Sequence, residues 1–504
     1  MTVPIHSRFG IDTPFKQKTR NYRFMRFHSV LLSSLIVFLA GANVSAQQLL
    51  ATKPTALDEY VAKEDPTYSW RIEKTVEGIG MTTTVIHLKS QTWRTKEEVD
   101  RPVWEHWLVV TVPKKVTTNH AFLLIGGGGH NSKVPNGSDL ISSTIAIATG
   151  SIVAELKNVP NQPLVFHNDG QPRSEDDLIG YAWSQFLETG DATWLPRLPM
   201  VKSAVRAMDC ITEFAASDAG GNLDVDKFVV GGASKRGWTT WMTGVADSRV
   251  QAVVPIVIDV VNAEPSLRHH AESYGFWADA IGNYYQHKIL QRFDHPRMQA
   301  LYEHVDPYYH LDRLTEPKYI VNGSGDQFFL PDSSRFYYEK LQGEKLIRYV
   351  PNADHSLKNT DAIQSVAAFY HLIASGKPRP EYAWTFEDNG SIRATSKTKP
   401  SRVTLWQANN PGARDFRLKT IGAAFKESDL KPNAEGEYVM PVPDSKAGWT
   451  ASFIELTYDV GSPFPLKVTT AVRVTPDTLP FDGIDLTTTE YEPGAQKVKI
   501  PAAE

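Results

Sequence analysis

"FVVGGASKRGW", residues 228–238, runs a short apolar strand into Gly231, Gly232 and Ala233, then a serine, two cations and Gly237. A buried strand that ends in Gly-Gly-Ala-Ser and continues into "KRGWTTWMTGVAD" has the form of a nucleophile elbow. The turn is so tight that the residues before the serine must be small. It lifts the hydroxyl of Ser234 above the carboxyl edge of a sheet, at the start of a helix whose dipole favours developing negative charge. The familiar spacing is G-x-S-x-G. Here Arg236 stands where the second glycine belongs, and glycine moves one place on. The other use of such a stretch is a Gly-rich packing turn.

Strands and helices alternate on both sides of this turn. "AFLLIGGGG" (121–129), "STIAIATGSIVAEL" (143–156), "VQAVVPIVID" (250–259), "KYIVNGSGD" (318–326) and "KLIRYVPNADH" (345–355) each hold a continuous apolar run, as a strand buried on both faces requires. "SEDDLIGYAWSQFLETG" (174–190) and "LPMVKSAVRAMDCITEFAAS" (198–217) are helical, with Ser174 and Asp177 spaced as a capping box. This alternation predicts an α/β fold, a mostly parallel sheet with helices on both faces. "TTTVIHLKSQTW" (82–93) and "WEHWLVVTVP" (104–113) add strands before it, and "TALDEYVAKEDPTYSW" a short helix and turn.

A serine alone is a poor nucleophile and needs a base and an orienting acid. On an α/β-hydrolase sheet these follow the serine in the order Asp, then His, each after a strand. Asp326 directly follows one strand and His355 the next, so Ser234, Asp326 and His355 are the candidate triad, with Asp332 and Asp354 as weaker rivals for the acid. "LLIGGGGHN" offers Gly127 and Gly128 as backbone donors to an oxyanion, together with the N–H of Lys235. His130, which follows those glycines, and Arg236 are candidate substrate-binding groups. Lys235 and Arg236 have two readings: they hold an anionic substrate group or the oxyanion, or they pair with Glu175, Asp176 or Asp177.

The rest of the chain sets the frame. Its 504 residues predict two or three domains. A formal charge of −4 gives no electrostatic hold on nucleic acid. Lys16, Lys18, Arg20, Arg23 and Arg26 precede "VLLSSLIVFLAGA" (30–42) and small residues at Val44 and Ala46. That pattern matches a secretory signal peptide (1–46), expected to be cut after Ala46 and to leave no membrane span and a secreted or periplasmic protein; the other reading is an uncleaved anchor. Cys210 is the only cysteine, so no internal disulfide can form. No H-E-x-x-H or Cys/His ligand spacing is present, and neither metal nor cofactor is expected.

Residues 47–378 are read as the α/β domain, with an aromatic helical insertion at about 262–315 that either roofs a pocket or only packs. Past "ASGKPRPEY" the pattern turns to short alternating strands, a C-terminal β-sandwich over 379–504. Trp406 and Trp449 in that region serve as core residues or as stacking platforms for carbohydrate.

"GGASKRGW", "IGGGGHN", "GSGDQFFLPD" and "NADHSL", together with "LIGYAWSQFLETGDATWLPRLPMVKSAVRAMD", resemble the PhoPQ-activated pathogenicity-related protein family over roughly residues 55–490. The resemblance implies export, the α/β-hydrolase fold and a triad at Ser234, Asp326 and His355; it implies little about substrate. Locally "GASKRG" is also similar to the elbow of glucuronoyl esterases, where a cation beside the serine serves the oxyanion. The expectation is a serine hydrolase acting on a small ester or peptide. Its rival is a binding or signalling protein on the same scaffold.

Overall fold

Apolar runs with side chains alternating to opposite faces dominate residues 120–350, and six strands from them join three earlier ones in one nine-stranded sheet. The computed structural model describes residues 54–442 and 447–494; the signal-peptide reading of residues 1–46 lies outside them. The strands are β1 (Ser69–Gly78), β2 (Met81–Thr92), β3 (Val103–Pro113), β4 (His120–Ile125), β5 (Ile152–Leu156), β6 (Lys227–Ala233), β7 (Val250–Ile256), β8 (Lys318–Gly323) and β9 (Lys345–Val350). Their order across the sheet is 1-2-3-5-4-6-7-8-9. The first three pair antiparallel, as do β3 and β5. From β5 through β4 to β9 every pairing is parallel.

Period-two alternation explains the two cores. In β4, Leu123 and Ile125 face one side and Phe122 the other; in β6, Phe228 and Val230 oppose Val229. Helices α1 (Ala56–Ala62), α2 (Leu140–Thr149), α3 (Glu175–Thr189), α4 (Arg197–Ala216), α5 (Lys235–Ala246), α6 (Ala263–Tyr274), α7 (Gly282–Gln286), α8 (Met298–Val305) and α9 (Ala362–Ala374) supply the covering layers. On the first face lie Met200, Ala204 and Met208 of α4 with Trp241 and Met242 of α5. On the second lie Ile145 of α2 and Val366, Phe369 and Tyr370 of α9. A mostly parallel sheet of this order with helices on both faces is the α/β-hydrolase fold. Cys210 is buried in α4, where desolvation pushes its thiol pKa up.

Two antiparallel sheets follow near the C-terminus. Tyr382–Phe386, Ile392–Ser396 and Tyr438–Val439 form one; Arg402–Asn410, Lys426–Asp429, Trp449–Tyr458, Leu466–Thr469 and Arg473–Thr475 form the other. Their inner residues, including Ile454, Leu456 and Val468, join the second core beside Phe369 and Val229. The described residues from Thr55 onward belong to one compact unit. Trp406 and Trp449 are half-buried and pack against the core. Among the described residues, no helix is long and apolar enough to cross a membrane.

The capping box read at the start of α3 does not form. Ser174 holds the N-cap position without a side-chain cap bond. Glu175 has a left-handed φ of 55°, so the chain turns sharply there. The Asp177 carboxylate is taken instead by His287, whose Nε2 lies 2.7 Å from it.

Candidate active site

Ser234 sits between β6 and α5 with φ 59° and ψ −127°, a strained conformation. Two bonds hold it there: its N–H donates to the Ile256 carbonyl (2.8 Å), and its own carbonyl accepts from the Trp238 N–H (3.0 Å). The glycines are sterically required. A Cβ on Gly232 would lie 2.7 Å from the Arg236 carbonyl oxygen, and one on Gly237 would lie 2.8 Å and 2.9 Å from the carbonyls of Gly232 and Ile256. The glycine displaced by one place in the sequence therefore still sits where β6, α5 and β7 converge.

Two cations in the first turn of α5 oppose the helix dipole. The acidic start of α3 compensates them. Lys235 Nζ lies 2.7 Å from Glu175 and 3.4 Å from Asp176, and Arg236 grips Glu175 with two nitrogens at 2.8 Å and 2.5 Å. Against the opposing cost of burial, these cations bring the Glu175 carboxyl down to about 2. Glu175 also exchanges hydrogen bonds with the Gln162 side chain (2.6 Å and 2.8 Å), tying the elbow to the loop beyond β5.

Asp326 follows β8 and His355 follows β9, and the parallel register brings the two loops together. His355 Nδ1 lies 2.7 Å from Asp326 Oδ2, while Oδ1 accepts the Phe328 N–H at 2.7 Å. An ionised Asp326 places the imidazole proton on Nδ1 and leaves Nε2 as the basic nitrogen. That Nε2 is buried and has no hydrogen-bond partner among the described residues. Phe328 and Phe329 pack on the imidazole, with ring centroids at 4.3 Å and 5.9 Å. Both phenylalanines also line the pocket that contains Ser234.

This pocket has a cavity volume of about 70 Å³ and is mostly apolar. Residues between Ala263 and Tyr302 supply much of its wall, including α6 and the segment around α7. Lys235 and Asp176 line it beside Ser234. Arg236 and His130 are not among its lining residues. The Arg236 guanidinium is held by Glu175 and by the Val159 carbonyl, and packs over Gly127. The His130 backbone N–H donates to the Gln162 carbonyl at 2.8 Å, and its side-chain Nε2 is buried without a hydrogen-bond partner among the described residues. Gly127 and Gly128 lie in the same loop, their carbonyls accepting from the Asn158 N–H (2.8 Å) and Gln162 Nε2 (2.9 Å). The Lys235 N–H opens α5, where a helix leaves its amides without internal acceptors.

Sequence reasoning did not single out Phe328, Phe329 or Tyr284. The "QFF" after Asp326 was the only available signal for the first two. The Tyr284 hydroxyl lies 3.2 Å from Asp176, so the acidic start of α3 contacts both the elbow and the segment above it.

A sequence model described as PhoPQ-activated pathogenicity-related protein matches residues 57–417. Autocrine proliferation repressor protein A of Dictyostelium discoideum is 39% identical over 456 residues, spanning 85% of this chain and 92% of that protein. Among solved structures, acetyl xylan esterase 1 from Thermoanaerobacterium sp. JW/SL YS485 is similar at 15% identity and a TM-score of 0.42, over 64% of this chain and 94% of that one. An acetyl xylan esterase from Paenibacillus sp. R4 is similar at 14% identity and a TM-score of 0.44, over 64% and 96% of the two chains. With the family model covering most of its length and a 39% identical relative alongside, this chain belongs to the PhoPQ-activated pathogenicity-related protein family.

Proposed function

We propose that this chain is an exported serine hydrolase that transfers an acyl group from an ester to water. One observation carries the reading. The Asp326–His355 pair leaves His355 Nε2 buried and without a partner among the described residues, and Phe328 and Phe329, which pack on that imidazole, also wall the pocket of the strained Ser234. Ser234 Oγ attacks the carbonyl carbon as its proton passes to His355 Nε2, and Asp326 stabilises the imidazolium. The Lys235 N–H, with donors from the Gly127–Gly128 loop, donates to the oxyanion. Collapse breaks the C–O bond, and the leaving alcohol takes the proton from Nε2. Water then attacks the acyl-serine by the same route and releases the acid. Ser234 and His355 share no hydrogen bond in the free protein; such bonds tighten in the substrate complex.

Hydrolysis of acyl esters by the purified chain, lost in Ser234→Ala and His355→Ala, is the expected result. Undiminished turnover in either variant contradicts the reading. Peptide amides run in parallel separate esterase from peptidase. The second reading, a binding or signalling protein on this scaffold, draws on the name of the 39% identical relative. Under it, Ser234→Ala keeps its biological effect. Export through cleavage after Ala46 predicts a mature protein that begins at Gln47, read by N-terminal sequencing.

A further inference from the structure

We infer that the site takes substrates with a long apolar arm, an aliphatic acyl chain of medium length, in preference to acetyl or sugar-like groups. This rests on the esterase reading and names its substrate class. Beyond Ser234 the pocket wall is largely hydrocarbon, with Trp238, Ile258, Leu267, Ile289, Leu290 and Phe293 around the space and the hydroxyl-bearing Ser266, Tyr302 and Ser333 among them. These side chains come from α5, from the loop after β7 and from the segment above the sheet, so the cavity extends away from the elbow.

Its charged lining groups are already committed. Lys235 is held by Glu175 and Asp176, and Asp176 also faces the Tyr284 hydroxyl. His270 accepts the Ala278 N–H at 3.1 Å through Nε2, and burial pushes its pKa down to about 3, so it stays neutral. A charged or hydroxyl-rich substrate arm would exchange its hydration there for few partners, chiefly the hydroxyls of Ser266, Tyr302 and Ser333, which is costly. An alkyl chain loses nothing and gains about fourfold in binding for each methylene removed from water.

The test compares kcat/KM of the full chain for p-nitrophenyl acetate, butyrate and octanoate. The expected result is a rise of about a hundredfold or more from acetate to octanoate. In Leu267→Trp the bulkier ring fills the pocket, and the octanoate-to-acetate ratio falls by about tenfold or more. That ratio does not depend on how much of the variant is folded. A parallel measurement without chemistry follows displacement of dansyl-undecanoic acid by octanoate and by acetate. If Ser234 turns over acetate best and octanoate displaces no better than acetate, the substrate inference is overturned while the esterase reading stands. If no ester is hydrolysed but octanoate displaces the probe, the esterase reading falls and the apolar-chain site remains. If octanoate neither displaces the probe nor reacts faster, the inference is wrong.

Discussion

Six residues apart, beyond the same strand, two aspartates each meet a histidine, and the two pairs are built for opposite ends. Asp326 bonds His355 at 2.7 Å and has no cation on it among the described residues; its other oxygen takes only a backbone N–H. Asp332 meets His269 Nε2 at 3.0 Å, but its second oxygen lies 2.6 Å from Arg414 and 3.3 Å from Arg335. The His269 and Arg414 charges outweigh the cost of burial and hold the Asp332 carboxyl far below the usual range. Arg414 Nη1 also lies 3.4 Å from His269 Nε2 and 3.2 Å from the Ser273 hydroxyl. The negative charge of Asp332 is thus already spent, and the His269 nitrogen facing it is occupied. At His355 the outer nitrogen is bare and the charge behind it undivided. A carboxylate–histidine contact does not distinguish a proton relay from a structural tie; what meets the other atoms of the pair does.

Substitution should split the two pairs cleanly. Ser234→Ala is expected to cost about a millionfold in kcat and Asp326→Asn about ten-thousandfold, with thermal unfolding little changed. Asp332→Asn should do the reverse. It leaves buried Arg414 without its carboxylate and destabilises by about 3–5 kcal/mol, while the folded fraction keeps its turnover. A large activity loss in a fully folded Asp332→Asn, with Asp326→Asn active, would reverse the assignment.

That assignment was legible because strand order and chain order coincide. Ser234, Asp326 and His355 each follow an apolar run that must be a strand, and the parallel register does the rest. Asp326 ranks above Asp332 in sequence only for its closeness to β8; the Arg414 that pairs with Asp332 is distant in sequence and favours the same choice. The charges of Lys235 and Arg236 left two readings open, because pairing with Glu175 depends on how α3 approaches the elbow. Strand β1 escaped notice altogether. Its side chains are largely exposed at the sheet edge, so no apolar pattern marks "SWRIEKTVEG". The pocket wall was legible in part: the insertion read at about 262–315 as a roof or a packing element supplies residues from Ala263 to Tyr302, whereas the single residues that other elements add between Asp176 and Ser333 carry no shared pattern.

Smaller effects sharpen the contrast. Glu175→Gln removes the carboxylate that neutralises both elbow cations, and an elbow shifted slightly should lose about ten- to a hundredfold in kcat, with KM changed less. Its folded-state pKa, near 2 against 4.5, also has a stability signature. The contribution is full above about pH 4.5 and fades as pH falls toward 2, so the Gln variant should show a flatter acid limb in thermal melts.

Asp259 gives the third case, an aspartate that meets neither histidine nor arginine among the described residues. The hydroxyls of Tyr337 and Tyr349 donate to it at 2.6 Å each, and burial raises its pKa to about 7. Its protonated form is favoured by folding, so its contribution is full below pH 3.8 and is lost as pH rises through 7. Asp259→Asn should remove that decline, a modest change in the slope of Tm between pH 4 and pH 7.

The most direct test of the central claim is covalent labelling of the folded chain with a fluorophosphonate, the modified residue being mapped by mass spectrometry. The account predicts one adduct, on Ser234, abolished in His355→Ala and preserved in the folded fraction of Asp332→Asn. A folded protein that takes no label, or that labels equally without His355, would contradict it.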